Sequence, residues 1–180
     1  MPRVALPSSK SGVSTPHEHK KRDLILMLER RHADDDRAAL AALRRGLTQG
    51  MEASVYPYVA PYFPSERRPW IERTYVLVAA LFATHPSDHG LTVGRALRQV
   101  QEKSDSKSVE PRFVALLNAH PDDLGQHLRH AISLARSKDV NIDWDDLLSA
   151  VLGWDHEDRW AQRRWAHDFW TYSDKEESTP

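Results

Sequence analysis

Leu124, Leu128, Ala131, Ile132 and Ala135 recur at three- and four-residue intervals through and just before the stretch QHLRHAISLARSK. At 100° per residue they form one apolar stripe, the pattern of an amphipathic helix with one buried face. The same period runs along most of the chain. HKKRDLILMLERRHA (19–33) predicts a first helix, basic at its start, and DDDRAALAALRRGL (34–47) a second, with possible caps at Asp34–Asp36 and an end near Gly46. EASVYPYVAPYFP (52–64) predicts a short helix or a pair of turns, because Pro57, Pro61 and Pro64 interrupt it. RPWIERTYVLVAALFATHP (68–86) accepts Pro69 early and stops before Pro86. LTVGRALRQVQEK (91–103) starts at Thr92, and PRFVALLNAH, PDDLGQHLRHAISLARSK, DWDDLLSAVLGWD and HEDRWAQRRWAHDFWTY follow as further helical segments. No alternating strand pattern persists, so the expected fold class is all-α.

Residues 1–17 are rich in Ser and Pro without a period, which predicts a disordered tail, and residues 173–180 predict a second. The polar stretch EKSDSKSVE (102–110) is the best linker candidate. The expectation is two small helical bundles, 18–101 and 111–172, joined by that linker. LFATHPSDHG (81–90) resembles LLNAHPDDLG (116–125). A helical repeat gives such a pair, and so do two helix breaks each followed by a cap; two copies favour the second origin.

Composition narrows the function classes. The chain has 180 residues, 40% hydrophobic and 28% charged, with a formal net charge of −1 and no cysteine. Disulfides and thiolate metal sites are excluded, and a reducing compartment, the cytoplasm, is expected. No apolar run approaches the ~18 residues of a membrane span. A near-zero net charge argues against nucleic acid, whose binding domains are usually basic, unless the two signs are segregated.

Segregation is what the sequence suggests. QHLRHAISLARSK holds Arg129, Arg136 and Lys138 and no acid. Arg129 and Arg136 nearly eclipse each other on the flank of the apolar stripe, ~10 Å apart along the axis. Arg37, Arg44 and Arg45 form a second acid-free group, Arg95 and Arg98 a third; Arg67, Arg68 and Arg73 surround Trp70, and Arg163 and Arg164 lie in the last helix. Of 26 acids, fourteen fall in five clusters: 34–36, 122–123, 143–146, 155–158 and 174–177. Four of these sit at predicted helix starts, where carboxylates satisfy free N–H groups and favour the dipole by about 0.3–1 kcal/mol each. Acids at helix ends and bases along helix flanks are compatible with a concentrated positive surface. The plain alternative is a set of solvated arginines, some paired with nearby acids.

Other candidate chemistry is sparse. His127 and His130 share a helical face as metal ligands do, but a third ligand at helical spacing is missing. WDHED (154–158) has the look of a metal-dependent hydrolase motif but reads better as a helix start, with Asp155 as cap and Asp158 three residues on. Trp160 and Trp165 point about 140° apart on a helix, so with Trp154 and Trp170 they suit core packing better than a base-stacking platform. No phosphate-binding loop or nucleophile elbow is present.

The ordered set LRRGL (43–47), YPYVAPYFP (56–64), VAALFATHP (78–86), VGRALRQ (93–99), RFVALLNA (112–119), LRHAISLARSKDVNIDWDDLLSAVLGWD (128–155) and RRWAHDFW (163–170) resembles the CasB-type small subunit of Cascade, the type I-E CRISPR surveillance complex. The resemblance runs from about Ala38 to Trp170. It implies an all-α fold of two bundles and no catalysis; no cofactor and no metal are expected. It implies two copies per complex beside backbone and large subunits, contact with guide RNA and target DNA, and a hold on the displaced strand that keeps the R-loop open in antiviral defence. The implied nucleic-acid-facing residues are Arg45, Arg112 and Arg129 by motif, and Arg44, Arg68, Arg95, Arg136, Arg163 and Arg164 by neighbourhood. The sequence departs from the family in a longer stretch before His17 and in the acids at 155–158. Two other readings stay open: a structural adaptor that joins proteins without touching nucleic acid, and a phosphohydrolase built on WDHED.

Overall fold

The structure, a computed structural model, describes residues 16–66, 68–104 and 106–171. Both expected tails therefore lie almost wholly outside the described residues, except that 16 and 17 already belong to the first helix. Among the described residues nine α-helices follow one another: α1 (Pro16–Ala33), α2 (Arg37–Arg45), α3 (Tyr56–Val59), α4 (Pro69–Phe82), α5 (Val93–Ser104), α6 (Val109–Leu117), α7 (Leu124–Ser137), α8 (Trp144–Leu152) and α9 (Trp160–Thr171). Single 3-10 turns at Glu52–Ser54 and Ala60–Tyr62 flank α3, as expected of a segment broken by prolines. No strand occurs among the described residues; one isolated parallel bridge joins Leu91 to Ile142.

Side-chain caps form at two of the four acidic clusters. Asp36 accepts from the Ala39 N–H at 2.9 Å, and Asp143 accepts from the Asp146 N–H at 2.9 Å. Asp123 stands at the start of α7 in a helical conformation, so its carboxylate makes no cap bond. The expected Asp155 cap is displaced: residues 155–158 form a turn, His156 Nδ1 accepts from the Asp158 N–H, and α9 starts only at Trp160 after Arg159 in the left-handed region (φ 48°).

The core is one contiguous apolar cluster from Leu24 to Phe169. α4 lies at its centre and is buried on nearly every side, through Ile71, Tyr75, Val78, Ala79, Leu81 and Phe82. It packs on α2, α3, α7 and α8, while α1 packs on α8 and α5 packs on α9. Helices from both sides of residues 102–110 thus share one core. That polar stretch is itself helical at both ends, since α5 continues to Ser104 and α6 begins at Val109.

The two similar segments have different roles. In the first, His85 Nε2 pairs with the Val140 carbonyl at 2.8 Å, Ser87 Oγ donates to the Ile142 carbonyl, and Trp144 Nε1 donates to Ser87 Oγ at 3.0 Å. In the second, His120 is exposed and its Nδ1 accepts from the Asp122 N–H. What they share is a helix stop.

α5 and α9 are in close backbone contact at Gly94. A Cβ there stands 2.2 Å from the Trp165 carbonyl oxygen and 2.9 Å from Asp168 Cβ. A polar layer lies beside this crossing. Thr92 Oγ1 donates to Asp168, Arg95 lies 3.5 Å from the same carboxylate, and Asp146 accepts from Trp165 Nε1 and pairs with Arg164.

The crossing makes two expectations testable. Gly94→Ala forces the helices apart and lowers stability by about 1–3 kcal/mol, read as a fall in the urea midpoint. Gly125→Ala, whose Cβ meets only Leu77 methyls at 3.5 Å, is neutral or stabilising by up to ~1 kcal/mol. The second expectation concerns Asp146. Burial pushes its carboxyl up from the ordinary value, opposed by Arg164 and the Trp165 N–H. The folded protein then holds a proton that the unfolded chain has released, so stability falls as pH rises from the unfolded carboxylate value near ~3.9 through the native one. Asp146→Asn removes that slope. Its stability relative to the parent should climb with pH across the acid range and level off toward neutrality, checked by urea midpoints from about pH 4 to about pH 7.

Candidate nucleic-acid interface

The apolar stripe of α7 is buried throughout: Leu124, Leu128, Ala131, Ile132 and Ala135. Its other face exposes Gln126, Arg129, His130, Ser133, Arg136 and Ser137, with no carboxylate between Asp123 and Asp139. Arg129 donates from Nη2 to the Leu47 carbonyl, just past the end of α2. A carbonyl orients a guanidinium without cancelling its charge. Arg136, one heptad on, is exposed along the same edge and has no polar partner among the described residues.

The bond to Leu47 brings the end of α2 beside α7. Arg45, two residues earlier, is exposed and unpartnered among the described residues. Arg44 donates from Nε to the Ala83 carbonyl at 2.7 Å, closing the C-terminus of α4. On the opposite flank of α7, Arg112 projects from α6 and faces His127 and His130 across a groove of about 160 Å³. Arg129 and Arg136 on α7, Arg112 on the adjoining α6, and Arg44 and Arg45 near the end of α2 are therefore all free of carboxylate partners among the described residues.

The other four candidate residues differ. Arg68 Nε donates to Glu66 at 3.1 Å, both side chains exposed. Arg95 is drawn to the buried Asp168, and Arg164 to Asp146, with its guanidinium 5.2 Å from the Trp160 ring centre. The charges of these three are already met by acids. Arg163 is exposed and unpaired among the described residues but lies on α9, away from α7. Around them Arg98 pairs with Glu102 at 2.6 Å, Arg37 with Asp35 at 2.9 Å, and Arg159 donates to the Leu117 carbonyl. Arg73 is exposed beside the half-open Trp70, while Arg67 lies outside the described residues.

Trp154 and Trp165 are buried with ring centres 5.3 Å apart, as expected of core residues. Trp170 is exposed and leans on Phe113 at 5.6 Å. Among the described residues no three His, Asp or Glu side chains come together as a metal-ligand set. His127 and His130 do share a surface, and their neighbour across it is Arg112 rather than a third ligand. That groove was not legible in the sequence, because it arises only where α6 crosses α7. The helical spacing of the two histidines was its one visible sign.

Residues 39–170 match the family model for CRISPR-associated protein Cse2. The CRISPR-associated protein Cse2 of Thermus thermophilus is 39% identical over 145 residues, which span 78% of this chain and 83% of that one. The crystal structure of a Cse2-family protein from the same organism superimposes with a TM-score of 0.75 at 34% identity, covering 84% of this chain and 98% of that one. A chain of a CRISPR RNA-guided surveillance complex superimposes with a TM-score of 0.70 at 28% identity, covering 86% of this chain and 92% of that one. This chain belongs to the CRISPR-associated protein Cse2 family.

Proposed function

We propose that this chain is a non-catalytic subunit of a CRISPR RNA-guided surveillance complex. It grips guide RNA and target DNA backbones through the basic face around α7, and so stabilises the R-loop and its displaced strand. The observation that carries the proposal is the acid-free outer face of α7, with five carboxylate-free arginines on it and on the elements α2 and α6 that it meets. Family membership and the likeness to a surveillance-complex chain support the setting.

The physical logic is economical. Base pairing with a guide supplies sequence specificity, so a helper needs phosphate contacts only. Opening a duplex against a guide is a nearly balanced exchange, tipped by protein–backbone contacts. Arginines fixed on a helical scaffold bias it without reading a base. Arg45, Arg112, Arg129 and Arg136 are the principal contacts, with Arg44 behind them and Arg163 on a separate face. Arg68, Arg95 and Arg164 contribute less, because a phosphate must first displace a carboxylate. Exposed Trp70 and Trp170 suit protein partners, namely backbone and large subunits and a second copy of this chain.

A salt titration of binding to single-stranded DNA tests this. Affinity should fall linearly in log–log form, with a slope of ~0.7 per phosphate contacted. Replacing both Arg129 and Arg136 with Ala should weaken binding and flatten the slope by ~0.7 per arginine, with stability lowered by no more than the one exposed hydrogen bond to Leu47, about 0.5–1.5 kcal/mol; Arg68→Ala should leave affinity and slope within error. Wild-type binding by the double variant sinks the assignment. A complex assembled without this chain should also lose target DNA faster; equal retention favours the structural adaptor.

A further inference from the structure

Where α6 lies across α7 the helices leave a groove of about 160 Å³. Its floor is apolar, formed by Leu97, Ala131 and Leu134, with the exposed Ala115 as one wall. Its rim is Arg112, His127 and His130, and no carboxylate lines it. The size excludes several classes of ligand: it is well below the ~300–1,000 Å³ of a site that encloses a whole small molecule. It equals the space of roughly five water molecules, the scale of one planar ring. An apolar slot rimmed by imidazoles and a guanidinium suits such a ring, since bases stack on His and Arg planes. The cationic rim complements the phosphates that must accompany it.

We propose that this groove receives one unpaired base of a DNA strand whose backbone runs along the basic face of α7. The inference rests on the nucleic-acid reading above and deepens it. The base enters between Arg112 and the His127–His130 edge and covers the apolar floor. Its sugar and phosphates stay outside, beside Arg112, and the neighbouring nucleotides carry the backbone around the exposed face of α7 toward Arg129 and Arg136. The apolar lining is met by the base and the cationic rim by its phosphates, so occupation of the groove calls for no contact with a ribose 2′-hydroxyl and deoxyribose suffices. Any of the four bases can occupy it, because each has a π-face.

The test compares the full chain binding a ~12-nucleotide oligo-dT with an abasic deoxyribose-phosphate strand of equal length, by fluorescence anisotropy at fixed salt. Oligo-dT should bind about tenfold more tightly. Ala115→Leu fills the groove from an exposed position and keeps every cation. It should abolish the preference for oligo-dT while leaving affinity for the abasic strand and its salt slope at parental values. His130→Ala, at an exposed position, should remove part of the preference, which guards against a folding defect in the first variant. Oligo-rU of equal length should bind no more tightly than oligo-dT; tighter binding overturns the DNA assignment. Equal binding of dT and abasic strands, or a preference that survives Ala115→Leu, overturns the groove and leaves the basic face standing. Failure of both strands to bind removes the nucleic-acid reading and the groove with it.

Discussion

The close crossing of α5 and α9 at Gly94 sets the geometry on which the candidate interface depends. With hydrogen in place of a side chain, the α5 backbone rests against the Trp165 carbonyl. That fixes α9 in height and rotation, because Trp165 and Phe169 point into the core on one side and Asp168 meets Thr92 on the other. Phe169 in turn stacks on Phe113 of α6 with ring centres 4.4 Å apart. α6 is thereby held where Arg112 faces α7. A chain of packed side chains thus leads from one glycine to the relative placement of the cations, and close-packed interiors transmit such constraints stiffly.

Electrostatics follows the same scaffold. A net charge of −1 conceals a division of labour. Asp36 and Asp143 cap helices, Asp146 and Asp168 sit in the polar layer beside the α5–α9 crossing, and Glu66 and Glu102 hold arginines at the surface. The acids near α7 stop at Asp123 and resume at Asp139. Two of the arginines around that gap are oriented by carbonyls, Arg44 by Ala83 and Arg129 by Leu47. Such bonds restrict the rotamers of long side chains in advance, so less entropy is lost when a phosphate arrives. Exposed ion pairs, by contrast, contribute about 0–1 kcal/mol and must be exchanged rather than simply joined.

Much of this fold was legible in the sequence because helical period is a local property. The stripe Leu124–Ala135, the proline-broken segment before α4 and the cap at Asp36 all follow from neighbours within one turn or two. What was not legible depends on tertiary contact. Arg95 and Arg164 read as solvent-facing bases on their helices, yet Asp168 and Asp146 come to meet them from other positions in the fold. The WDHED turn reads as a cap until Arg159 adopts a left-handed conformation and delays α9 by several residues. The resemblance drawn from ordered motifs identified the family correctly, since order and spacing carry information that single segments lack.

A surface that holds strands chosen by base pairing faces opposing demands: strong enough to keep them apart, indifferent enough to accept any sequence. Phosphate contacts meet both, but their strength fades with salt because it derives from counterion release. A slot that buries one base adds an apolar component that is less sensitive to salt. It remains sequence-tolerant if it makes no base-edge hydrogen bonds. The α6–α7 groove has the composition for that, with an apolar floor and only flat cationic or imidazole groups at its rim. With Arg112 at its rim and Arg129 and Arg136 across the exposed face of α7, the two components act on successive nucleotides of one strand. A base held there is withdrawn from re-pairing with its complement, which opposes closure of the duplex directly rather than through charge alone.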